Sequence, residues 1–218
     1  MMSKTLDTLN RKIQERHLLI HPFYKAWSNG DLSLEHLRFY ARQYFAHVRA
    51  FPTYLKEMHD RCDNLEYRRF IASNLADEEA TPPTHADLWL DFASGIGAGH
   101  DSVERANIGP RVTALVDTFK GLMENKTAEA VAALYCYEKQ IPEVAEAKIR
   151  GLQDHYGIAD GETLRYFRVH QSADLEHAAQ WATILEREKL APTRVADVAD
   201  SALNALWAAL DEINEARF

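Results

Sequence analysis

His170, Asp174 and His177 stand in the stretch "RVHQSADLEH" at positions i, i+4 and i+7. On an α-helix that spacing sets two imidazoles and a carboxylate within roughly 60° of arc, on consecutive turns of one face. Such a face is a metal-ligand arrangement if it looks inward and an ordinary polar stripe if it looks outward. It continues to Trp181 and is flanked by Tyr166 and Ala173, company that favours burial. Buried His and Asp side chains need partners, and a cation supplies one.

Further ligands must come from elsewhere in the chain. "ALYCYEKQIPEVAEAKIR" carries Glu138 in a helical stretch with Pro142 four residues on. Pro142 cannot donate to the carbonyl of residue 138, so the helix is expected to kink or loosen at Glu138. Leu134, Tyr137 and Ile141 crowd the same side. In "NLADEEATPPTHADLW", Glu78 and His85 are separated by two prolines, so straight-helix geometry does not relate them. Taken alone, Asp77, Glu78 and Glu79 read as surface acids at a helix end and His85 as a residue near a helix start. Together Glu78, His85, Glu138, His170, Asp174 and His177 make three carboxylates and three imidazoles. A mixed N/O set of that kind suits two iron or manganese ions, with a carboxylate able to bridge them, better than a closed zinc site. Open coordination positions would admit dioxygen.

The elements that position these residues are helical throughout. Apolar periodicity predicts helices over about 4–19, from the cap Ser33 to Pro52, then 53–62 and 65–79. "TPP" at 81–83 ends the fourth, and "THADLWLDFASG" begins the next, which "SGIGAGHD" closes as a loop. No strand precedes that glycine-spaced loop and no Lys-Ser or Lys-Thr follows it, so it is not a phosphate cradle. Asp101 with Glu104 resembles a capping box. Further helices are expected over about 110–124, 127–150, 161–189 and 194–216. No linker, repeat or low-complexity stretch divides the chain, and the expectation is one all-α bundle over residues 1–218.

Composition narrows the function classes. The 218 residues are 46% hydrophobic, enough for a sizeable core, and the net charge of −8 without a Lys/Arg run argues against nucleic acid or an anionic membrane as partner. Two cysteines, Cys62 and Cys136, without a CxxC argue against a disulfide scaffold or thiolate zinc site. The polar N-terminus and the lack of a long apolar run point to the cytoplasm.

With these residues in view, the chain resembles the heme-oxygenase-like dimetal oxidases, in the branch of CADD-like p-aminobenzoate synthases within the TenA/PqqC-like superfamily. The markers are "HPFYKAW", "YARQYFAHVRAFPTYL", "NLADEEATPPTHADLW", "YEKQIP" and "YFRVHQSADLEHA". The resemblance implies a bundle of about seven or more helices, two metal ions (Fe/Fe or Fe/Mn), dioxygen and an external reductant. It implies synthesis of p-aminobenzoate for folate from the protein's own tyrosine, with a lysine as amino donor. The sacrificed tyrosine then falls on Tyr24, the lysine on Lys148, assisting tyrosines on Tyr40 and Tyr137, and the metal ligands on the six residues above, with Glu79 a rival to Glu78. The residues alone read Tyr24 as a core aromatic beside Phe23 and Trp27, and Lys148 as a solvated lysine beside Glu143 or Glu146. Around a single helix Tyr137 and Lys148 would share Glu138's flank, although Pro142 disturbs that phase.

Three rival readings remain at this level. The first is a dimetal oxidase acting on an external small molecule. The second is a metal-free TenA-like thiamin-pyrimidine hydrolase using Cys136, with a PqqC-like cofactor oxidase beside it. The third is a binding protein for helical partners. The amphipathic stretch at 195–210, with Val195, Val198, Leu203, Leu206, Trp207 and Leu210, is expected to pack on the bundle or to support a homodimer.

Overall fold

Two surfaces of the long helix α3 (Leu34–Arg61) organise the bundle. α4 (Leu65–Glu79) and α5 (His85–Gly95) pack against one, and α7 (Pro110–Met123) against the other. α10 (Arg165–Arg187) then lies across α8 (Thr127–Glu138) and α9 (Ile141–Tyr156), touching α4 and α5. α11 (Pro192–Asn214) closes the far side against α7, α8 and α1 (Lys4–Glu15). The short helices α2 (Pro22–Asn29) and α6 (His100–Glu104) and a 3-10 turn at Leu18–Ile20 complete the chain. The computed structural model describes residues 3–79 and 82–218, and among these it contains no strand. Thr81 of the expected helix stop lies outside the described residues. Among the described residues no helix is long and apolar enough to cross a membrane.

Local chemistry sets the helix ends. Ser3 and Ser33 accept from the N–H groups of Leu6 and His36 and start α1 and α3. Gly30, at φ 74°, takes the left-handed position that ends α2. The first helix stops at Glu15, short of the expected 19, because the His17 imidazole accepts from Leu19 N–H and turns the chain into the 3-10 segment. Pro52 does not divide α3 as expected. Its missing N–H removes one ladder bond, but Val48, Phe51, Tyr54, Leu55 and Met58 are buried on both sides of it and hold the helix together. The expected capping box at Asp101 and Glu104 is absent: Gly99 starts α6 without a side-chain cap. A reciprocal box exists instead at Thr84 and Asp87, at the start of α5.

The expected single helix over 127–150 is two helices. α8 ends on Glu138 and α9 begins at Ile141, with Pro142 in its first turn, where a missing N–H costs nothing. Tyr137 and Lys148 therefore belong to different helices, so their shared angular flank is not what relates them. α11 buries Val195, Val198, Leu203, Leu206 and Leu210 against the bundle, while Trp207 is half-buried and donates to the Arg16 carbonyl.

Candidate metal centre

The face of α10 that carries His170, Asp174 and His177 looks inward, and all three are at least 93% buried, as are Tyr166 above them and Trp181 below. A backbone carbonyl can only accept, so the contact between His170 Nδ1 and Tyr166 O at 2.7 Å makes Nδ1 the protonated nitrogen. Nε2 is then left with a free lone pair. His177 is fixed the opposite way: Nε2 donates to Asp77 Oδ2 at 2.9 Å, and Nδ1 turns toward Asp174 Oδ1, 3.9 Å away. An outer hydrogen bond on one imidazole nitrogen is how proteins orient the other for a cation.

Three more ligand-type side chains converge on this face. Glu78 is buried on the last turn of α4 and faces the site, whereas its rival Glu79 is exposed. His85 is the first residue of α5, directed inward by the Thr84–Asp87 box, and its Nδ1 lies 2.9 Å from Glu78 Oε1. Glu138 projects from the C-terminal end of α8. Both of its oxygens accept, Oε1 from Asn74 Nδ2 at 3.0 Å and Oε2 from Trp181 Nε1. The six residues form two trios, Glu78–His85–His170 and Glu138–Asp174–His177, and within each trio the candidate ligand atoms lie within 4.8 Å of one another.

The electrostatics of these trios fit cations. Burial and the Asp174 charge push Glu138 up to about 8, and burial pushes Asp174 up to about 6. Three carboxylates cannot share a dry site without compensating charge. Asp174 Oδ2 is buried without a hydrogen-bond partner among the described residues, a costly state unless a ligand occupies it. Two divalent ions would answer both deficits, and the donor set is of the N/O type that iron and manganese accept.

Beside the first trio lies a pocket with aromatic walls. Tyr24, Tyr44, Trp89, Tyr137, Tyr166 and His170 line it, and Lys148 reaches into it from α9. Lys148 is 95% buried rather than solvated. Its Nζ donates to Tyr40 Oη at 2.5 Å and lies 5.4 Å from the centre of the Tyr24 ring. The rings of Tyr40, Tyr44, Trp89 and Phe167 surround the same amine at 4.9 to 5.8 Å. Burial pulls Lys148 down to about 7, so a large fraction is neutral amine at neutral pH. Burial drives the Tyr24 and Tyr40 phenols far up, and the two are hydrogen-bonded to each other. Three of its walls, Tyr137, Tyr166 and His170, also border a second small cavity against Glu78 and Asp174.

The backbone around this pocket is tied at several points. His21, fully buried, accepts from Phe23 N–H through Nδ1 and donates from Nε2 to Asp211 at 3.1 Å, which fixes the start of α2 just before Tyr24. Trp27 Nε1 donates to the Lys148 carbonyl at 3.2 Å. Gly151 allows that approach, since a Cβ there would meet Trp27 Cδ1 at 2.5 Å. Gln140, in the break between α8 and α9, accepts from Leu18 N–H and so joins the Glu138 segment to the turn ahead of α2.

The pattern that defines a family described as iron-containing redox enzymes matches residues 38–210. The chain belongs to that family. It is an oxidoreductase, and its relatives include proteins named 4-aminobenzoate synthase. One from Chlamydia muridarum is 43% identical over 182 residues, 83% of this chain and 77% of that protein. Another, from Nitrosomonas europaea, is 41% identical over 217 residues, 93% of this chain and 88% of that protein. A solved domain from Shewanella denitrificans, described as having a heme oxygenase-like fold, superposes with a TM-score of 0.76 at 14% identity, covering 97% of this chain and 89% of that one. The all-α fold expected from the residues is therefore a heme-oxygenase-like bundle.

Sequence reasoning missed Asn74, Asp77 and Tyr44 as parts of this site. Asn74, Asp77 and Glu78 stand at i, i+3 and i+4 of one helix, a spacing that carried the signal for a shared face. Cys136, the nucleophile the rival hydrolase would use, is fully buried, and burial pushes its thiol up to about 12.

Proposed function

We propose that this chain makes 4-aminobenzoate by an oxygen-dependent reaction that consumes its own Tyr24, with Lys148 as nitrogen donor. In this reading Glu78, His85, His170, Glu138, Asp174 and His177 hold two metal ions, Fe/Fe or Fe/Mn. Those ions, when bound, supply the oxidising power of dioxygen, with electrons from an external reductant. The product is a benzene ring with a carboxyl and a para-amine; tyrosine already offers the ring, Cβ and a para-oxygen. The Cα–Cβ bond of Tyr24 must break, Cβ becomes the carboxyl carbon, and the Lys148 nitrogen, cut from its Cε, replaces the phenolic oxygen, which leaves as water.

The observation that carries this reading is the crowding of the pocket. Its cavity is about 10 Å³, room for no more than one water, so an external aromatic substrate does not fit while the Tyr24 ring already forms a wall. That also disfavours the rival with an external small molecule. The chain's own residues have clear parts. Burial keeps much of Lys148 as the nucleophilic amine. Tyr40 accepts from Lys148 and contacts Tyr24, so it is placed to pass a proton between them. Trp89 and Phe167 help to exclude water. Tyr137 borders both the amine pocket and the cavity against Glu78, His170 and Asp174, placed to pass oxidising equivalents. The reading assigns the reaction to the cytoplasm, where Cys62 and Cys136 remain thiols, and leaves a homodimer compatible with it.

The test is intact-mass and peptide-mapping spectrometry of the metal-reconstituted protein before and after oxygen. The expected result is loss of mass at Tyr24 and Lys148 with about one product per chain, and nitrogen from ¹⁵N-lysine in that product. Formation of 4-aminobenzoate with both residues intact would overturn it.

A further inference from the structure

His47 is a fully buried titratable side chain that neither the reaction above nor the ties around the pocket use. It sits on α3 with no exposed surface, and its Nε2 has no hydrogen-bond partner among the described residues. Aromatic rings enclose it, with Tyr137 edge-on at 5.0 Å and Phe119 at 5.1 Å between centroids. Two turns along α3, the Tyr54 hydroxyl lies 3.4 Å from His47 Nδ1 and its ring centre 5.6 Å from that of His47. Tyr54 in turn backs a surface groove of about 230 Å³ that includes Glu57, Lys120 and Met123. Tyr137 borders both cavities of the metal side. Tyr137, His47 and Tyr54 thus form an unbroken line of rings from the reaction pocket to the surface.

We propose that Tyr54 and His47 form a relay that returns an oxidised Tyr137 to its phenol, using a small one-electron reductant of the ascorbate or thiol class at the surface groove. The inference rests on the self-sacrificing reading, in which dioxygen chemistry is the source of the oxidised Tyr137. In the first step Tyr54 gives up one electron and its phenolic proton. The electron reduces the Tyr137 phenoxyl; His47 takes the Tyr54 proton at Nδ1 and releases one from Nε2, which has no partner at rest and must turn to the Tyr137 hydroxyl for the transfer, so Tyr137 regains its O–H and Tyr54 becomes the phenoxyl. In the second step the reductant supplies one electron, and solvent one proton, to restore Tyr54. His47 carries no net charge before or after, in keeping with an apolar enclosure that pushes its pKa down to about 3. The nitrogen that faces Tyr54 and the one left without a partner give His47 an entry and an exit for a proton.

The relay is testable without metal. The full-length, metal-free chain is prepared with 3-aminotyrosine in place of Tyr137, and hexachloroiridate, a charged one-electron oxidant, is added from solution. The residue-specific radical at position 137 is followed by stopped-flow absorbance and paramagnetic resonance. Tyr54→Phe, which removes only a hydroxyl, is expected to slow its appearance at least about tenfold, and His47→Gln likewise, while Tyr67→Phe leaves the rate unchanged. An unchanged rate in Tyr54→Phe overturns the proposal, whether or not His47→Gln folds. Because no metal or product is involved, this outcome is separate from the mass-loss test of the reaction itself.

Discussion

Asp77 accepts from His177 Nε2 at 2.9 Å, and the next residue along α4, Glu78, belongs to the opposite trio. One helical turn thus orients a ligand of one candidate metal position while supplying a ligand to the other. Asp77 is itself half exposed, its side chain 54% accessible, so its removal leaves no buried hole. Asp77→Ala is expected to weaken metal binding at the His177 position by about 10- to 100-fold, read by competition with a chromophoric chelator. Glu79→Gln, on the solvent side of the same turn, should leave affinity unchanged. Equal affinities for Asp77→Ala and wild type would remove the orienting role.

Lys148 makes the stability of the protein depend on pH in a defined direction. Burial holds its ammonium at a pKa of about 7 in the folded protein, against the ordinary lysine value of 10.5. Between those two values the unfolded chain binds the extra proton, so stability contributed through this group rises with pH. Below about 7 both states carry the charge and the burial penalty is felt in full. Lys148→Met should therefore be more stable than wild type at pH 6, with the gap narrowing as pH rises to 10. Each displaced unit is worth ~1.4 kcal/mol, so the change in the gap amounts to several kcal/mol. Urea titrations of both proteins at pH 6, 8 and 10 check it; a gap independent of pH would mean that Lys148 titrates normally.

Gly151 tests the contact that brings α2 to α9. An added Cβ would stand 2.5 Å from Trp27 Cδ1 and 2.7 Å from Trp27 Nε1, so the indole must shift and its bond to the Lys148 carbonyl is lost. Gly151→Ala is expected to lower stability by about 1–3 kcal/mol, the usual range for overpacking, and to reduce 4-aminobenzoate yield more than stability alone accounts for. Calorimetry alongside product assay at a temperature where both proteins are fully folded separates the two effects. Gly121→Ala, where nothing lies within 4 Å, serves as the comparison that adds the same methyl to a helix without a clash.

How much of this was legible beforehand varied with the kind of signal. The α10 face could be read directly, because three ligand types at helical spacing and flanking aromatics share one rigid element. Glu78 and His85 could not be joined by spacing, since the segment between α4 and α5 breaks the helical phase. Their convergence depends on the Thr84–Asp87 box and on α10 packing across both helices. Pro142 correctly marked the disturbance after Glu138 but read as a kink, whereas the Gln140 side chain holds a full break open by accepting from Leu18 N–H and donating to the Cys136 carbonyl. Pro52 misled in the other direction, because long-range burial outweighed one lost hydrogen bond. Lys148 read as solvated because nothing local announces that five rings from four other helices enclose it.

The division into two trios makes the last prediction. Glu78, His85 and His170 form one set and Glu138, Asp174 and His177 the other, so single ligand losses should empty one position before the other. His85→Ala and His177→Ala are each expected to retain close to one tightly held metal per chain after anaerobic reconstitution with iron, and the wild type two. Binding to the folded state alone raises stability by RT ln(1 + [L]/Kd), roughly 2.7 kcal/mol at a hundredfold excess over Kd for each site. The increase in melting temperature on metal addition should accordingly be largest in wild type and smaller in each single variant. In the double variant His85→Ala/His177→Ala it should be absent. Elemental analysis and anaerobic calorimetry on the same samples decide it. A wild type that takes up no metal would sink the dimetal reading, and one metal in the wild type with none in either variant would mean that the six residues serve a single ion.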